Sequence, residues 1–290
     1  MTDSIGLSEI AERAARSVSD YLIGAFRSPG DVEYKADFHD VVTIHDKQAQ
    51  RMIAESIFRD APSSLIVGEE SEELLTADGI ERQAGPDDVL WYVDPIDGTS
   101  NFASGFDHWC VSIAAAQGGE VVAGVIYQPT TGILYHADET GAFRDGEPMS
   151  VTRVPNRQGV FSTSYPSSRL GGASGALGFL RLVEDVRSVR RPGSTALSLA
   201  EVANGHFLAT YNRGTHPWDV AAGLLLVQRA GGVYLGFDDR YDSQALSDGH
   251  ALYTRDLMLA RNYAAAGTAE AASLCLEVMD RPDLAEAVHD

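Results

Sequence analysis

Apolar positions Ile5, Leu7, Ile10, Ala14, Val18, Leu22 and Ile23 recur near helical spacing, and Pro29-Gly30 ends the pattern. This predicts one amphipathic helix over residues 4–26. A second helical pattern runs from Asp46 to Phe58, before Pro62. The segment before it, residues 40–46, is β-prone in patches, and residues 64–67 form a short apolar strand ending at Gly68-Glu69-Glu70-Ser71. An acidic, glycine-containing stretch then reads as an exposed loop up to Asp88. Strands are expected over 89–93, 110–117, 120–128, 132–137 and 142–144. Gly118-Gly119 and Thr130-Thr131-Gly132 supply turns between them, which predicts an antiparallel meander.

The pattern changes near residues 155–159. Strands over 160–163, 186–190, 207–211, 233–235 and 251–254 alternate with helices over 173–183, 195–204 and 218–230, and further helical segments follow from Leu257. Alternation of this kind predicts an α/β layered fold. The expected organisation is one unit over 1–290, with an α+β half over 1–150 and an α/β half over 151–290.

Composition narrows the function classes. The 290 residues are 44% hydrophobic and 22% charged, enough apolar material for a sizeable core. No apolar run has the length of a membrane span, and the N-terminus has no basic-then-apolar signal pattern. Cys110 and Cys275 lie far apart in apolar contexts and read as reduced core thiols, so a cytoplasmic location is expected. The 42 acidic and 22 basic residues leave a net charge of −20, which disfavours nucleic acid and anionic membranes as partners. It also disfavours an anionic substrate, unless cations or local dipoles reverse the field at the site.

The chemistry concentrates where the strand over 89–93 runs into Asp94-Pro95-Ile96-Asp97-Gly98-Thr99-Ser100-Asn101-Phe102. Two acids at the end of a buried strand repel each other and resist desolvation, and a bound cation relieves both costs. Oxygen ligands of this type suit Mg²⁺ or Mn²⁺. The alternative is structural: Asp97-Gly98 as a turn, with Asp94 its local cap. Two more acidic groups lie where regular elements meet loops, Glu69-Glu70 and the Asp219 of Trp218-Asp219-Val220-Ala221-Ala222-Gly223. Each has a structural alternative too, as solvated loop charge or as an acid in a first helical turn. The sequence has no P-loop, nucleophile elbow, Gly-x-Gly-x-x-Gly turn, Cys-x-x-Cys or His-Glu-x-x-His.

Gly68-Glu69-Glu70-Ser71, the segment from Asp94 to Phe102, and the segment from Trp218 to Gly223 together resemble, in order and spacing, the three signatures of the inositol monophosphatase family. That family belongs to the lithium-sensitive, metal-dependent sugar phosphatases. The resemblance spans nearly the whole chain. It implies α/β/α/β/α layers, as in the inositol monophosphatase/fructose bisphosphatase-like fold, Mg²⁺-dependent hydrolysis of a small phosphorylated metabolite, and a homodimer.

Carried over by residue, the resemblance assigns one Mg²⁺ to Glu69, Asp94 and the carbonyl of Ile96, and a second to Asp94, Asp97 and Asp219. A weaker third ion, the expected point of Li⁺ inhibition, lies by Glu69 and Glu70. It implies that Thr99 and Asp46 orient and deprotonate the attacking water. Gly98 and Thr99 offer backbone N–H groups to phosphate, with glycine permitting close approach. Lys35 and residues 40–46 resemble the family's early loop, with His45 where a small residue is more usual. Gly193, Ser194 and Thr195 resemble the substrate-side turn. Asn212 replaces the acid of inositol-specific members, and Arg213 adds a cation beside it. The expected substrate is inositol monophosphate by default. Histidinol phosphate, fructose bisphosphate or a nucleotide 3′-phosphate are alternatives within the same chemistry, and a non-catalytic regulatory protein is the rival of a different class.

Overall fold

The computed structural model describes residues 3–26, 32–34, 41–71, 74–80, 82–167, 170, 172–237 and 254–287. The first helical pattern is two helices, α1 (Ser4–Ser17) and α2 (Ser19–Ala25). Asp3 caps α1, accepting from the Gly6 N–H, and the chain turns at Val18. Strands β1 (Val32–Tyr34) and β2 (Val41–Thr43) form an antiparallel pair, and β2 feeds directly into α3 (Ile44–Asp60).

The main sheet has seven strands, β3 (Leu65–Gly68), β4 (Val89–Asp97), β5 (Cys110–Gln117), β6 (Glu120–Gln128), β7 (Ile133–Asp138), β8 (Gly141–Arg144) and β9 (Glu147–Pro148), arranged in chain order. Only the β3–β4 pair is parallel; the remaining pairs form the antiparallel meander. The short helix α4 (Thr99–Ser104) follows β4.

The second sheet has the order β11-β10-β12-β14-β13, from β10 (Val160–Thr163), β11 (Ser188–Arg190), β12 (Ala209–Arg213), β13 (Val233–Phe237) and β14 (Asn262–Ala266). Its helices are α5 (Gly172–Asp185), α6 (Thr195–Ala203), α7 (Pro217–Arg229), α8 (Thr254–Leu259), α9 (Ala269–Val278) and α10 (Pro282–Ala287).

Three apolar layers hold these elements together. Leu7, Ile10, Val18, Leu22, Ile53 and Ile57 from α1–α3 pack on Trp91, Val93, Val111 and Ile113, one face of the main sheet. The opposite face, with Tyr92, Ala114 and Ile126, meets Leu197 of α6 and Val220 and Leu224 of α7, and beyond them Tyr234 and Tyr263 of the second sheet. Phe161, Leu208, Tyr211 and Ala264 then meet α9 and α10 on the outside. The resulting order is α/β/α/β/α, and every residue from Val220 to Val227 of α7 is buried because a sheet lies on each side.

The C-terminal stretch also departs from expectation. Asn262 to Ala266 is a strand, where helical segments were expected from Leu257, and Thr254 opens helix α8 instead of ending a strand. Residues 251–253 lie outside the described residues. Asn-Tyr-Ala-Ala-Ala has good helix propensity, but β14 is central and antiparallel to both β12 and β13. Its alternate side chains enter different layers, Tyr263 and Ala265 the middle one, Ala264 and Ala266 the outer one. Small residues fit a strand covered on both faces, and burial overrides intrinsic preference.

Close approach of α7 to the main sheet depends on Gly124 in β6. A Cβ at Gly124 would lie 2.9 Å from Ala222 Cα and 3.1 Å from its carbonyl oxygen, both backbone atoms that cannot swing away. Gly124→Val should therefore destabilise the fold by about 3 kcal/mol, and Gly124→Ala by roughly half of that. Urea unfolding is the measurement, and wild-type stability in the valine variant would contradict this packing.

Candidate active site

The site forms where β3 and β4 end side by side. Gly68 pairs with Val93 in parallel register, so Glu69 and Asp94 emerge from neighbouring strands. Asp94 and Asp97 are three positions apart and would face opposite sides of a regular strand. On β5, however, they pair with Ser112 and Cys110, which are only two apart. The extra residue is a β-bulge, and it turns both carboxylates to the same face, towards α6 and α7. The Pro95 between them has no N–H to lose from the ladder.

Asp97, Asp219 and Asp46 each lie at a helix start. Asp97 is 8% exposed and accepts from the Ser194 hydroxyl, the Ala196 N–H (2.6 Å) and the Thr195 N–H (3.2 Å), all at the N-terminus of α6. Asp219 is the third residue of α7 and accepts from the His216 N–H (2.7 Å) in a capping box. His216 stacks on Trp218, with ring centroids 4.7 Å apart. Asp94 accepts from the Ile96 N–H (3.0 Å) and is 2% exposed. Asp46, fully buried as the third residue of α3, accepts from the Thr43 N–H (2.8 Å) and hydroxyl (2.7 Å) through Oδ2. Its Oδ1 accepts from the Thr99 hydroxyl at 3.1 Å, and Thr99 Oγ1 also lies 3.0 Å from the Ile96 carbonyl.

Burial is the leading cause that raises the pKa of every one of these carboxyls. For Asp94 the charges of Glu69, Asp97 and Asp219 follow, as does a hydrogen bond with the Glu69 carboxyl. For Asp219 the charge of Asp97 comes next, and the His216 N–H and the charge of Arg261 only partly oppose it. For Asp97 the bonds from Ser194, Ala196 and Thr195 oppose burial without cancelling it. Asp46 is pushed up to about 6.

Among the described residues, no three acidic, histidine or cysteine side chains are drawn tightly enough to enclose a cation as they stand. Asp46 and Asp97 already accept protein N–H and O–H groups through both of their oxygens. The donor set nevertheless fits a hard divalent ion. It is all carboxylate and carbonyl oxygen, and its members are destabilised chiefly by lost hydration and by each other. Glu69, Asp94, Asp97, Asp219 and the Ile96 carbonyl are the groups that could hold such an ion.

The substrate-side residues divide. Gly98 (φ 102°) and Gly193 (φ 84°) are left-handed turns lying against each other: a Cβ on Gly98 would sit 3.3 Å from the Gly193 carbonyl oxygen. Asn101 staples these turns, donating through Nδ2 to the carbonyls of His108 (2.7 Å) and Pro192 (2.8 Å). Asn212 is buried, and its Oδ1 accepts from the Ser164 N–H while Nδ2 reaches the Tyr263 hydroxyl at 3.4 Å. Arg213 donates to the Met279 carbonyl (2.7 Å) and lies over the Tyr165 ring, on the outer side. Asn212 and Arg213 are consecutive in β12 and so point to opposite faces. Lys35 lies outside the described residues.

The Glu70 N–H donates to Gln50 Oε1 at 2.8 Å. Neither Asn101 nor Gln50 was singled out in the sequence as acting on the site. For Gln50 the available signal was its place one helical turn after Asp46, on the same face of α3.

A model of the inositol monophosphatase family matches residues 6–280. The inositol-1-monophosphatase of Rhizobium meliloti is 38% identical over 196 residues, 67% of this chain and 71% of its own length. The Nus factor SuhB of Escherichia coli is 34% identical over 232 residues, 79% of this chain and 84% of its own length. The solved structure of a Thermotoga maritima IMPase matches with a TM-score of 0.73 at 27% identity, covering 97% of this chain and 96% of that one.

The raised pKa values fix the sign of a stability profile. A carboxyl that binds its proton more tightly when folded contributes stability below its unfolded pKa, and that contribution is lost as pH rises through the folded value. For Asp46 the loss runs from near pH 4 to about 6 and amounts to roughly 2–3 kcal/mol. Asp94 and Asp219, also raised by burial and by neighbouring carboxylates, add to a decline of the same sign. In EDTA, Tm should fall across this range. With Mg²⁺ it should rise, and the gain should grow with pH because the ion replaces protons. Thermal melts from pH 4.5 to 8 check this, and identical curves with and without Mg²⁺ would refute it.

Proposed function

We propose that this chain, which belongs to the inositol monophosphatase family, is a Mg²⁺-dependent phosphatase that hydrolyses a phosphomonoester of a small polyol or sugar, with inositol monophosphate the default substrate. The observation that carries this reading is the Thr99 hydroxyl, held between the Ile96 carbonyl and Asp46 at the rim of the buried acids. A purely structural acid cluster has no need of a hydroxyl–carboxylate pair aimed beside it.

Glu69, Asp94, Asp97, Asp219 and the Ile96 carbonyl would hold two Mg²⁺, for which Mn²⁺ is a substitute, with a third by Glu69 and Glu70. When bound, Mg²⁺ supplies charge neutralisation at the phosphate, a lowered pKa for a coordinated water, and stabilisation of the leaving alkoxide. The protein supplies position and proton handling. Thr43 donates twice to Oδ2 of Asp46. Oδ1 therefore stays turned towards Thr99. Asp46 is pushed up to about 6, so near neutral pH it can accept a proton passed through the Thr99 hydroxyl. Gly98 and Thr99 offer backbone N–H groups to the phosphate, and Asn101 holds their turn against that of Gly193.

On the substrate side, Gly193, Ser194 and Thr195 line the α6 start beside Asp97. Asn212 sets the wall beneath through Ser164. An uncharged amide with Arg213 as its neighbour in sequence fits a substrate with another anionic or acceptor group, which keeps fructose bisphosphate, histidinol phosphate and nucleotide 3′-phosphates within the proposal. Two buried free cysteines fit a reducing, cytoplasmic setting. The homodimer belongs to the same reading.

A second reading rests on the likeness to Nus factor SuhB, namely a regulatory role exerted through a macromolecular partner. Phosphate release with Mg²⁺ from a panel of the named phosphomonoesters separates the two. Asp94→Asn should retain the fold and lower turnover by about three orders of magnitude; near-wild-type release in that variant would sink the phosphatase reading, and silence of the wild type across the panel would favour the regulatory one. Li⁺ should inhibit at modest Mg²⁺, and turnover indifferent to saturating Li⁺ would remove the third ion from beside Glu69 and Glu70.

A further inference from the structure

We infer that Gln50 is a positioning residue that ties the Glu69-Glu70 corner to helix α3, and that Gly68 is glycine to make room for it. The inference rests on the proposed role of that corner in holding Mg²⁺.

The corner leaves β3 with its backbone groups engaged in three directions. The Glu69 N–H continues the strand pairing to the Val93 carbonyl at 3.1 Å. The N–H and hydroxyl of Ser71 fold back to the Gly68 carbonyl, each at 3.3 Å. The Glu70 N–H reaches across to another element, meeting Gln50 Oε1 at 2.8 Å. Gln50 is 5% exposed, an uncommon degree of burial for this residue type.

Gly68 supplies an independent observation. Its φ does not lie in the left-handed region that favours glycine, so conformation does not explain the residue. Space does. A Cβ at Gly68 would fall 2.2 Å from Gln50 Oε1 and 2.3 Å from Cδ. The missing side chain is the niche that the Gln50 amide fills.

Gln50 follows Asp46 by four residues, so the two project from the same face of α3 about 6 Å apart along its axis. One helix thereby carries the partner of Thr99 and the acceptor for the acidic corner. In this scheme Gln50 acts through the backbone of Glu70. Groups that orient metal ligands from behind typically change metal affinity 10–100-fold when removed.

The test uses the full chain and three variants. Gln50→Met keeps volume and loses the acceptor, Gln50→Glu keeps an acceptor oxygen, and Gly68→Ala displaces the amide from the other side. Two readouts are taken: hydrogen–deuterium exchange of the Glu70 amide in EDTA, and the Mg²⁺ concentration giving half of the metal-dependent rise in Tm. Gln50→Met and Gly68→Ala should each speed exchange at Glu70 at least tenfold, leaving the Glu69 amide protected. Each should also raise the half-saturating Mg²⁺ about tenfold. Combining them should add little, because they break the same contact. Gln50→Glu should keep the amide protected, which a loss of packing alone would not reproduce.

Unchanged exchange at Glu70 in Gln50→Met, or unchanged half-saturating Mg²⁺ once the amide is exposed, overturns the inference. If Gln50→Met does not fold, Gly68→Ala against Gln50→Glu decides it. A wild-type chain that shows no Mg²⁺-dependent stabilisation fails the phosphatase reading instead, and the exchange arm alone then decides whether Gln50 holds the corner.

Discussion

The constraint on which the structure turns is the burial of like charge. Asp94, Asp97 and Asp219 lie within reach of one another's field, with Glu69 at the rim, in a region stripped of water. Isolated, each would cost several kcal/mol or hold a proton. The surrounding fold supplies a partial answer from its own backbone. Three helix N-termini converge on these acids: α3 on Asp46, α6 on Asp97 and α7 on Asp219. At each, carboxylate oxygens take N–H groups at or beside the helix start, and the positive end of the helix macrodipole favours the anion. The residual rise in every pKa measures what the backbone leaves uncompensated, and that remainder is what recommends the site to a divalent cation.

The same constraint explains the asymmetry of the main sheet. β4 is the strand on which both clusters of its neighbours depend. It runs parallel to β3, so that two chain ends deliver acids to one edge, and antiparallel to β5, so that the bulge can be registered against Ser112 and Cys110. A regular β4 would have sent Asp97 towards α1–α3, into the layer that Ile96 now occupies. Small residues do comparable work deeper in. Gly124 admits α7 to the sheet, and Gly223 lets Leu199 of α6 rest against α7. These contacts set how closely α7, which carries Asp219, lies to the main sheet and to α6.

Much of this arrangement was legible in the chain. Each acid taken alone had a structural alternative, and the order and spacing of the three acidic segments together singled them out; the meander announces itself through its glycine turns. What could not be read depends on contacts between distant segments. Asn101 looks like part of a turn motif until the Pro192 carbonyl arrives to meet it. Asn212 and Arg213 were expected beyond a strand ending at 211; β12 runs on to Arg213, and its two-residue period sends Arg213 to the Met279 carbonyl. β14 was hidden by its alanines, whose local preference is helical and whose fitness for a crowded central strand appears only once two layers close over it.

The position of α7 between the two sheets has a consequence for how the protein comes to life. Asp219 belongs to a helix that is buried along its length and has no stable surroundings until both sheets exist. Asp46, Asp94 and Asp219 are drawn from segments remote in sequence, so the pocket is built from long-range contacts. A chain that has formed only its first sheet has the strand ends but lacks the acid that completes them. The pocket is therefore complete only once both sheets have closed on α7.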